Sequence, residues 1–248
     1  MDLGLAGRRY LVTGGTKGLG LATAKALAED GARVFVSSRS ADNLAAALAE
    51  LGPTARGAVA DNGDPAALAA LVDGAAGELG GLDGLLVSVG GPKRGWFGDV
   101  TDEDWHAAFD TVFLGAVRLV RLVLPMLTEG AAIGLVLSSS VRAPIAALTM
   151  SNAFRPGLAM LVKQLGDELG PRGIRVLGFV PGRIATERTL EVDGGDPEAA
   201  ARSAALIPLG RLGRPDEFGR VAAFALSPAA SYLTGSMLVV DGGAIRSV

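Results

Sequence analysis

Three spaced glycines near the start of the chain limit the folds that it can adopt. An apolar run ends in Gly14-Gly15-Thr16-Lys17-Gly18-Leu19-Gly20, and an alanine-rich helical pattern covers residues 21–29. Gly14 permits a tight turn, Gly18 lets the backbone approach a pyrophosphate, and Gly20 lets the helix pack close to the strand. A glycine-rich run alone is often only a turn. Here a strand precedes it and a helix follows, so we predict a dinucleotide-binding loop.

Short apolar runs alternate with longer helical patterns along the whole chain. Near-continuous apolar strands joined by helices are typical of a parallel sheet covered on both faces, and right-handed crossovers make such a sheet doubly wound. Neither a repeat nor a linker divides the 248 residues, so we predict a single α/β domain over residues 1–248. The predicted strands cover residues 9–13, 33–37, 57–60, 84–88, 134–138, 175–180 and 237–240.

One predicted connection is much longer than the others. It covers residues 185–215 and contains Asp193-Gly194-Gly195-Asp196-Pro197, which predicts an irregular insertion. A loop of this length beside the carboxyl ends of strands is typically a lid or a substrate loop.

The composition excludes several kinds of chemistry. The chain has no cysteine, which excludes disulfides and thiolate catalysis, and its only histidine is His106, which excludes a zinc cluster and a Ser-His-Asp triad. A net charge of −3 without a basic block indicates neither nucleic acid nor a membrane surface as a partner. The most apolar region, 112–137, is interrupted by charged residues and a proline, so we predict a buried or subunit-packed helix and a strand there. Without a secretory leader pattern, we expect a cytoplasmic protein.

Several separated segments form a recognisable pattern. They are Thr13-Gly14-x-x-x-Gly18-x-Gly20, Asp61, Pro181-Gly182-x-Ile184-x-Thr186, Pro208-Leu209-Gly210-Arg211, and Leu233-Thr234-Gly235 with Val240-Asp241-Gly242-Gly243. Over essentially its full length the chain resembles the short-chain dehydrogenase/reductases, and it is most similar to their 3-oxoacyl-carrier-protein-reductase-like branch. The resemblance implies a Rossmann-type sheet of about seven parallel strands with helices on both faces. It also implies a nicotinamide coenzyme, a small-molecule substrate and a homo-oligomer, either a tetramer or a dimer.

The end of the second predicted strand indicates which coenzyme binds. An acidic residue at this position of a doubly wound fold binds the adenine ribose, whereas a basic residue accommodates a 2′-phosphate. This chain has Ser38-Arg39 there. Arg39 can bind a phosphate bidentately, and Lys17 in the glycine loop adds a second positive charge. We therefore predict NADP(H); the alternative is that the two cations are solvated surface residues.

The resemblance extends the predicted coenzyme site along the chain. It places Asp61 and Asn62 at the adenine, and it places residues 181–186 at the nicotinamide carboxamide. The alternatives are a surface turn at Asp61 and a strand-exit turn after Pro181. The complete set of predicted coenzyme contacts is Gly14, Thr16, Lys17, Gly18, Leu19, Gly20, Ser38, Arg39, Asp61, Asn62, Ser88, Gly90, Pro181, Gly182, Ile184 and Thr186.

Most catalytic residues that the resemblance implies are replaced. The family uses a tyrosine as proton donor, a lysine four residues later that lowers the pKa of the tyrosine, a serine that holds the substrate oxygen, and often an asparagine in the preceding long helix. The flanking motifs place Ser151 at the tyrosine position, Arg155 at the lysine position and Val112 at the asparagine position. Ser138 keeps the serine at the usual spacing, although two further serines follow it directly.

These replacements weaken acid catalysis. A serine hydroxyl is far less acidic than a phenol, arginine stays protonated, and losing a positioned general acid costs about 10²- to 10⁴-fold in rate. In one hypothesis Arg155 stabilises an alkoxide or binds an anionic group of the substrate, while Ser138 or water completes a proton path. In the alternative, Ser151 caps a helix and Arg155 is a structural or ribose contact.

Pro156 adds a structural expectation. A proline inside a helix costs about 3 kcal/mol but is favourable at the first helical position. We therefore predict that the helix over residues 158–169 begins near Arg155 or is irregular there.

Three further charged or titratable residues are interpreted as surface residues: His106, Lys93 and Arg94. The alternative for Lys93 and Arg94 is that they line the cleft and attract an anionic substrate.

Two functions of different class remain open. The first is an NADP(H)-dependent oxidoreductase that acts on a carbonyl or alcohol with an atypical active site, and the coenzyme motifs favour it. The second is a catalytically silent coenzyme-binding or oligomer-partner protein, and the missing tyrosine, lysine and asparagine favour it. A third reaction, reduction of a polarised double bond or an imine, would need no tyrosine acid.

Overall fold

One parallel sheet positions every other element of the chain. The computed structural model describes residues 2–187, 189 and 197–247, and within them seven strands lie in the order β3-β2-β1-β4-β5-β6-β7. The strands are β1 (Arg9–Thr13), β2 (Arg33–Ser38), β3 (Arg56–Val59), β4 (Gly84–Val87), β5 (Ala132–Val136), β6 (Arg175–Pro181) and β7 (Ser236–Val240). The helices are α1 (Gly18–Glu29), α2 (Ala41–Leu51), α3 (Pro65–Leu79), α4 (Asp102–Ala108), α5 (Gly115–Val123), α6 (Thr149–Leu169), α7 (Pro197–Ala205) and α8 (Pro215–Leu226).

The strand order reverses between β1 and β4. The chain builds outward from β1 through β2 to β3, then returns to place β4 on the other side of β1, with Thr13 opposite Val87. In open parallel sheets, ligands bind at such a switch point, outside the carboxyl ends of the strands. The predicted doubly wound fold is confirmed, and its switch point lies at the glycine loop.

Apolar side chains fill both faces of the sheet. One core cluster includes Leu71 of α3, Leu119 of α5 and Leu158 of α6, and the other includes Leu27 of α1 and Phe218 of α8. This two-sided burial explains why the central strands are apolar without alternation. No helix within the described residues is long and apolar enough to cross a membrane.

The predicted start of the helix near Arg155 is wrong. Helix α6 begins at Thr149 and continues through Pro156 to Leu169. Met150, Leu158 and other side chains of α6 are buried against the sheet, and this packing outweighs the local cost of the proline. Ser151 therefore lies inside the helix and is not its cap.

The predicted irregular insertion over residues 185–215 is wrong in its second part. Helix α7 occupies Pro197–Ala205 within it. A proline suits the first helical position, and the alanines that follow have the highest helix propensity. The preceding segment 193–196 lies outside the described residues.

A π-helical turn interrupts the helical segment that begins at Asp102. Helix α4 leads into a π-helical turn, Phe109–Leu114, before α5 begins. Val112, at the family's asparagine position, is buried in this turn. A Cβ atom built on Gly115 would lie 2.5 Å from the Asn62 carbonyl oxygen, so the turn brings α5 into backbone contact with the loop after β3. Such π-turns are frequent at functional sites.

A buried arginine ties β6 to the end of α8. Arg175 donates hydrogen bonds to the carbonyl oxygens of Ala225 at 2.6 Å, Leu226 at 3.1 Å and Ser227 at 2.8 Å. A cation at a helix C-terminus is favourable because the last carbonyl groups lack partners within the helix.

We predict that Arg175→Met lowers the free energy of unfolding by about 2 to 4 kcal/mol, because methionine keeps the bulk but removes the three charge-assisted hydrogen bonds to buried carbonyl groups. Urea unfolding followed by circular dichroism measures this change. The matched control is Arg56→Met, at an exposed arginine, for which we expect a change within about 0.5 kcal/mol. Equal losses in the two variants would contradict this account of Arg175.

A second arginine joins the amino ends of β1 and β4. Arg9 Nε lies 2.8 Å from Asp83 Oδ2 and Arg9 Nη2 lies 3.0 Å from Asp83 Oδ1, and the Arg9 backbone N–H also donates to the carboxylate. Burial alone would raise the pKa of Asp83, but the hydrogen bonds from Arg9 outweigh it and hold this pKa below its ordinary value.

This lowered pKa predicts a pH-dependent contribution to stability. A carboxylate with a depressed folded-state pKa stabilises the protein above its unfolded pKa and loses that contribution as the pH falls through the folded value. The difference in unfolding free energy between the wild type and Asp83→Asn should be constant above about pH 5 and shrink below about pH 4. Urea unfolding at each pH measures it. A difference that does not change with pH would argue against the pair.

Candidate active site

The glycine loop leaves no room for larger residues. A Cβ atom on Gly14 would lie 1.9 Å from the Ser88 carbonyl oxygen, and one on Gly20 would lie 2.2 Å from the Gly14 carbonyl oxygen. Gly14 and Gly18 also have positive φ angles of 56° and 52°. The loop therefore packs backbone against backbone at the switch point.

The first turn of α1 has the features of an anion site. Its N-cap residue is Lys17, whose side chain makes no capping hydrogen bond, and the turn contains no acidic residue. Unpaired N–H groups and the positive end of the helix therefore lie beside the glycine loop, an arrangement that fits the phosphates of a dinucleotide. Thr16 is buried here, and the half-buried Leu19 packs against the core.

The adenine end of the predicted site lies where β2 and β3 end. Ser38 Oγ accepts a hydrogen bond from the Ser40 backbone at 3.2 Å. Arg39 is exposed and forms no ion pair with any residue that the structure describes. Asp61 Oδ1 accepts from the Gly63 backbone at 2.8 Å in a tight turn, and Asn62 is buried beside it.

The segment after β6 reaches the glycine loop. The Gly182 N–H donates to the Val240 carbonyl at 2.9 Å, and the buried Ile184 pairs with Gly213 in a parallel bridge. A Cβ atom on Gly18 would lie 3.4 Å from the methyl carbon of Thr186. The structure thus brings the predicted nicotinamide segment opposite the predicted phosphate loop. Ser88, whose carbonyl oxygen faces Gly14, and the exposed Gly90 follow β4, which lies between β1 and β6 in the strand order.

Three serine hydroxyls gather beyond the end of β5. This strand ends two residues earlier than predicted, so Ser138 caps a short 3₁₀ turn, and its Oγ accepts a hydrogen bond from the Ser140 backbone at 3.1 Å. The Oγ atoms of Ser140 and Ser151 are 3.3 Å apart, and both residues are buried. The spacing in the sequence favoured Ser138, although Ser139 and Ser140 follow it directly. Only the structure identifies Ser140 as the partner of Ser151.

Arg155 is anchored to the sheet. Its side chain is only 5% exposed, and it donates hydrogen bonds to the carbonyl oxygens of Val136, at the end of β5, and of Val89, at 3.2 Å. The guanidinium therefore joins the carboxyl ends of two neighbouring strands. This geometry supports a structural contribution, and it also fixes a positive charge at the end of β5, two residues before Ser138.

A set of hydrogen bonds that the sequence did not indicate fixes the start of α6. The Asn152 side-chain amide pairs with both backbone groups of Ile145, at 3.0 and 2.9 Å. Thr149 Oγ1 donates to the Gly95 carbonyl at 3.0 Å, and the Gly95 N–H donates to Ala147 at 3.0 Å. The loop after β4 is thereby tied to the helix that carries Ser151 and Arg155.

The two tyrosines lie away from the serines. Burial raises the pKa of Tyr10 to about 12, and its hydroxyl donates to the Leu226 carbonyl at 3.2 Å; Tyr232 is fully exposed. Neither tyrosine therefore takes the place of the missing proton donor.

Lys93 forms an ion pair with Asp104 at 2.7 Å, and His106 is exposed on α4.

Comparisons with known proteins agree with this architecture. Residues 14–244 match the family model described as Enoyl-(Acyl carrier protein) reductase. The oxidoreductase asL5 of Sarocladium schorii is 33% identical over 241 residues, which cover 96% of each chain. The human dehydrogenase/reductase SDR family member 4 is 34% identical over 247 residues, covering 96% of this chain and 88% of the relative.

A solved structure matches over nearly the whole chain. A short-chain dehydrogenase from Burkholderia cenocepacia J2315, in complex with NADP, has a TM-score of 0.90 and 32% identity, covering 97% of this chain and 99% of that one. The description of the matched family model points to an enoyl-reductase-like branch, whereas the sequence motifs predicted the 3-oxoacyl-carrier-protein-reductase-like branch. With matches of this extent, the chain belongs to the short-chain dehydrogenase/reductase family.

Proposed function

We propose that this protein is an NADP(H)-dependent oxidoreductase that transfers a hydride between the coenzyme and a carbonyl or alcohol substrate. One observation carries the proposal: the glycine loop, the uncapped start of α1 and Thr186 meet at the same edge of the sheet as Ser138. A protein that needed only the adenine half of the coenzyme would not require the segment from Pro181 to Thr186.

The phosphate preference rests on Arg39. Its exposed guanidinium follows β2, at the position where a carboxylate would favour NAD(H). The Burkholderia neighbour binds NADP, which supports the coenzyme class. We therefore propose that Arg39 and Lys17 together hold the 2′-phosphate of NADP(H).

The serines supply what remains of the catalytic site. The bound coenzyme would donate or accept the hydride. Because Ser138 Oγ already accepts a hydrogen bond from the Ser140 backbone, its own hydrogen is left to donate to a substrate oxygen. Arg155 would act as a positioning residue and would stabilise negative charge on that oxygen through its fixed positive charge. In the reduction, the substrate oxygen would take one proton from solvent water, directly or through the Ser138 hydroxyl, and in the oxidation it would release one by the same route.

The second candidate is a catalytically silent coenzyme-binding protein. Two contacts favour it: Arg155 is bonded to backbone carbonyls, and the Ser151 hydroxyl lies against Ser140 rather than replacing a phenol. A third reaction, reduction of a polarised double bond, agrees with the description of the matched family model.

We also propose a homo-oligomer. Trp96, Phe97 and Met160 are 64%, 79% and 70% exposed, and the edge strand β7 carries the exposed Val239. Large apolar side chains and an unpaired strand edge are commonly covered in assemblies.

We predict that Arg39→Gln raises the Kd for NADPH about tenfold and leaves the Kd for NADH nearly unchanged, because only NADPH carries the phosphate that a charge-assisted pair recognises. Fluorescence titration of the reduced nicotinamide measures both constants. Arg56→Gln, at an exposed arginine that begins β3, is the matched control and should change neither. Equal weakening of both coenzymes by Arg39→Gln would contradict the assignment.

We predict that Ser138→Ala lowers kcat about 10²-fold on any substrate that the wild type reduces, while the Kd for NADPH stays unchanged. The assay follows loss of NADPH absorbance with a panel of ketones, enones and imines. The wild type should turn over at least one class. Coenzyme binding without turnover across the panel would favour the silent protein instead.

A further inference from the structure

An ion pair crosses the coenzyme cleft between two distant segments. Lys17 Nζ lies 2.8 Å from Glu187 Oε2, although the residues are 170 positions apart. Lys17 begins α1 in the glycine loop, and Glu187 directly follows Thr186, whose methyl group lies opposite Gly18. The pair therefore joins the phosphate loop to the segment after β6 at the point where both face the cleft.

The two cations proposed for the 2′-phosphate differ in one respect. Lys17 is held by a carboxylate, whereas Arg39 forms no ion pair with any described residue. The Lys17 and Glu187 side chains are 54% and 71% exposed, so their attraction is screened by water and is weak. A phosphate dianion can displace such a partner, because it brings more negative charge and more acceptor atoms.

Four of the other charged side chains that line the groove containing Lys17 and Glu187 form two ion pairs. The groove runs beside α1 and has a volume of about 610 Å³. In it, Lys25 bonds to Glu50, and Arg220 lies 2.9 Å from Asp216. The Lys17–Glu187 pair differs from these two because one of its members belongs to the glycine loop.

We propose that Glu187 is a specificity-determining residue that lowers the preference for NADP(H) over NAD(H) by competing for Lys17. NAD(H) carries a hydroxyl in place of the 2′-phosphate, so it leaves the ion pair intact. NADP(H) must first displace Glu187 from Lys17. Part of the favourable free energy of its phosphate interaction therefore only replaces the lost ion pair. This inference rests on the proposed function, since it requires NADP(H) at the glycine loop.

The test compares two Glu-to-Gln variants on the purified full chain. Fluorescence titrations with NADPH and NADH give Kd values for the wild type, Glu187→Gln and Glu50→Gln. Glu187→Gln should lower the Kd for NADPH about two- to fivefold and leave the Kd for NADH unchanged. Glu50→Gln removes a similar exposed Lys–Glu pair from the same groove and should change neither constant.

A second background tests whether Lys17 mediates the effect. In Lys17→Gln, adding Glu187→Gln should no longer tighten NADPH binding, because the ion pair is already absent. A gain that persists in this background, or a gain shared equally by NADH, would overturn the inference. Wild-type binding of NADPH with no change in Glu187→Gln would overturn the inference alone. Failure of the wild type to bind either coenzyme would overturn the proposed function as well.

Discussion

The close approach of Gly14 to the carbonyl group of Ser88 organises this molecule. It holds the turn after β1 against the end of β4, at the point where the strand order reverses. Any side chain at Gly14 would push the two strand ends apart. Because the contact is between backbone atoms, the uncapped start of α1 and the loop after β4 keep a fixed relation, and the proposed coenzyme site depends on that relation.

A second anchor lies one strand further along the sheet. Arg155 occupies the position that the resemblance assigns to a lysine. It reaches from α6 to one carbonyl group after β4 and to another at the end of β5. Its hydrogen bonds thereby stabilise the ends of the strands that precede Ser88 and Ser138. At the position where the resemblance predicts a lysine, the arginine thus makes structural hydrogen bonds to two strand ends.

The fold was predictable because it follows from local patterns. Strand and helix periodicity, with the glycine spacing, correctly indicated the doubly wound sheet and the loop at Gly14. Local rules failed where tertiary contacts decide the boundaries: α6 continues through Pro156, and the pairing of β5 with β6 runs from Ala132 to Val136, so β5 ends before Ser138. The partners of Arg155 and the Lys17–Glu187 pair join residues distant in sequence, and no spacing rule in a single sequence indicates such contacts.

We propose above all that a phosphorylated nicotinamide dinucleotide binds at the switch point. Isothermal titration calorimetry of the wild-type protein tests it most directly, with NADPH and NADH titrated in parallel. We expect saturable heat with one site per chain and a lower Kd for NADPH than for NADH. Absence of heat with both coenzymes at millimolar concentration would contradict the account.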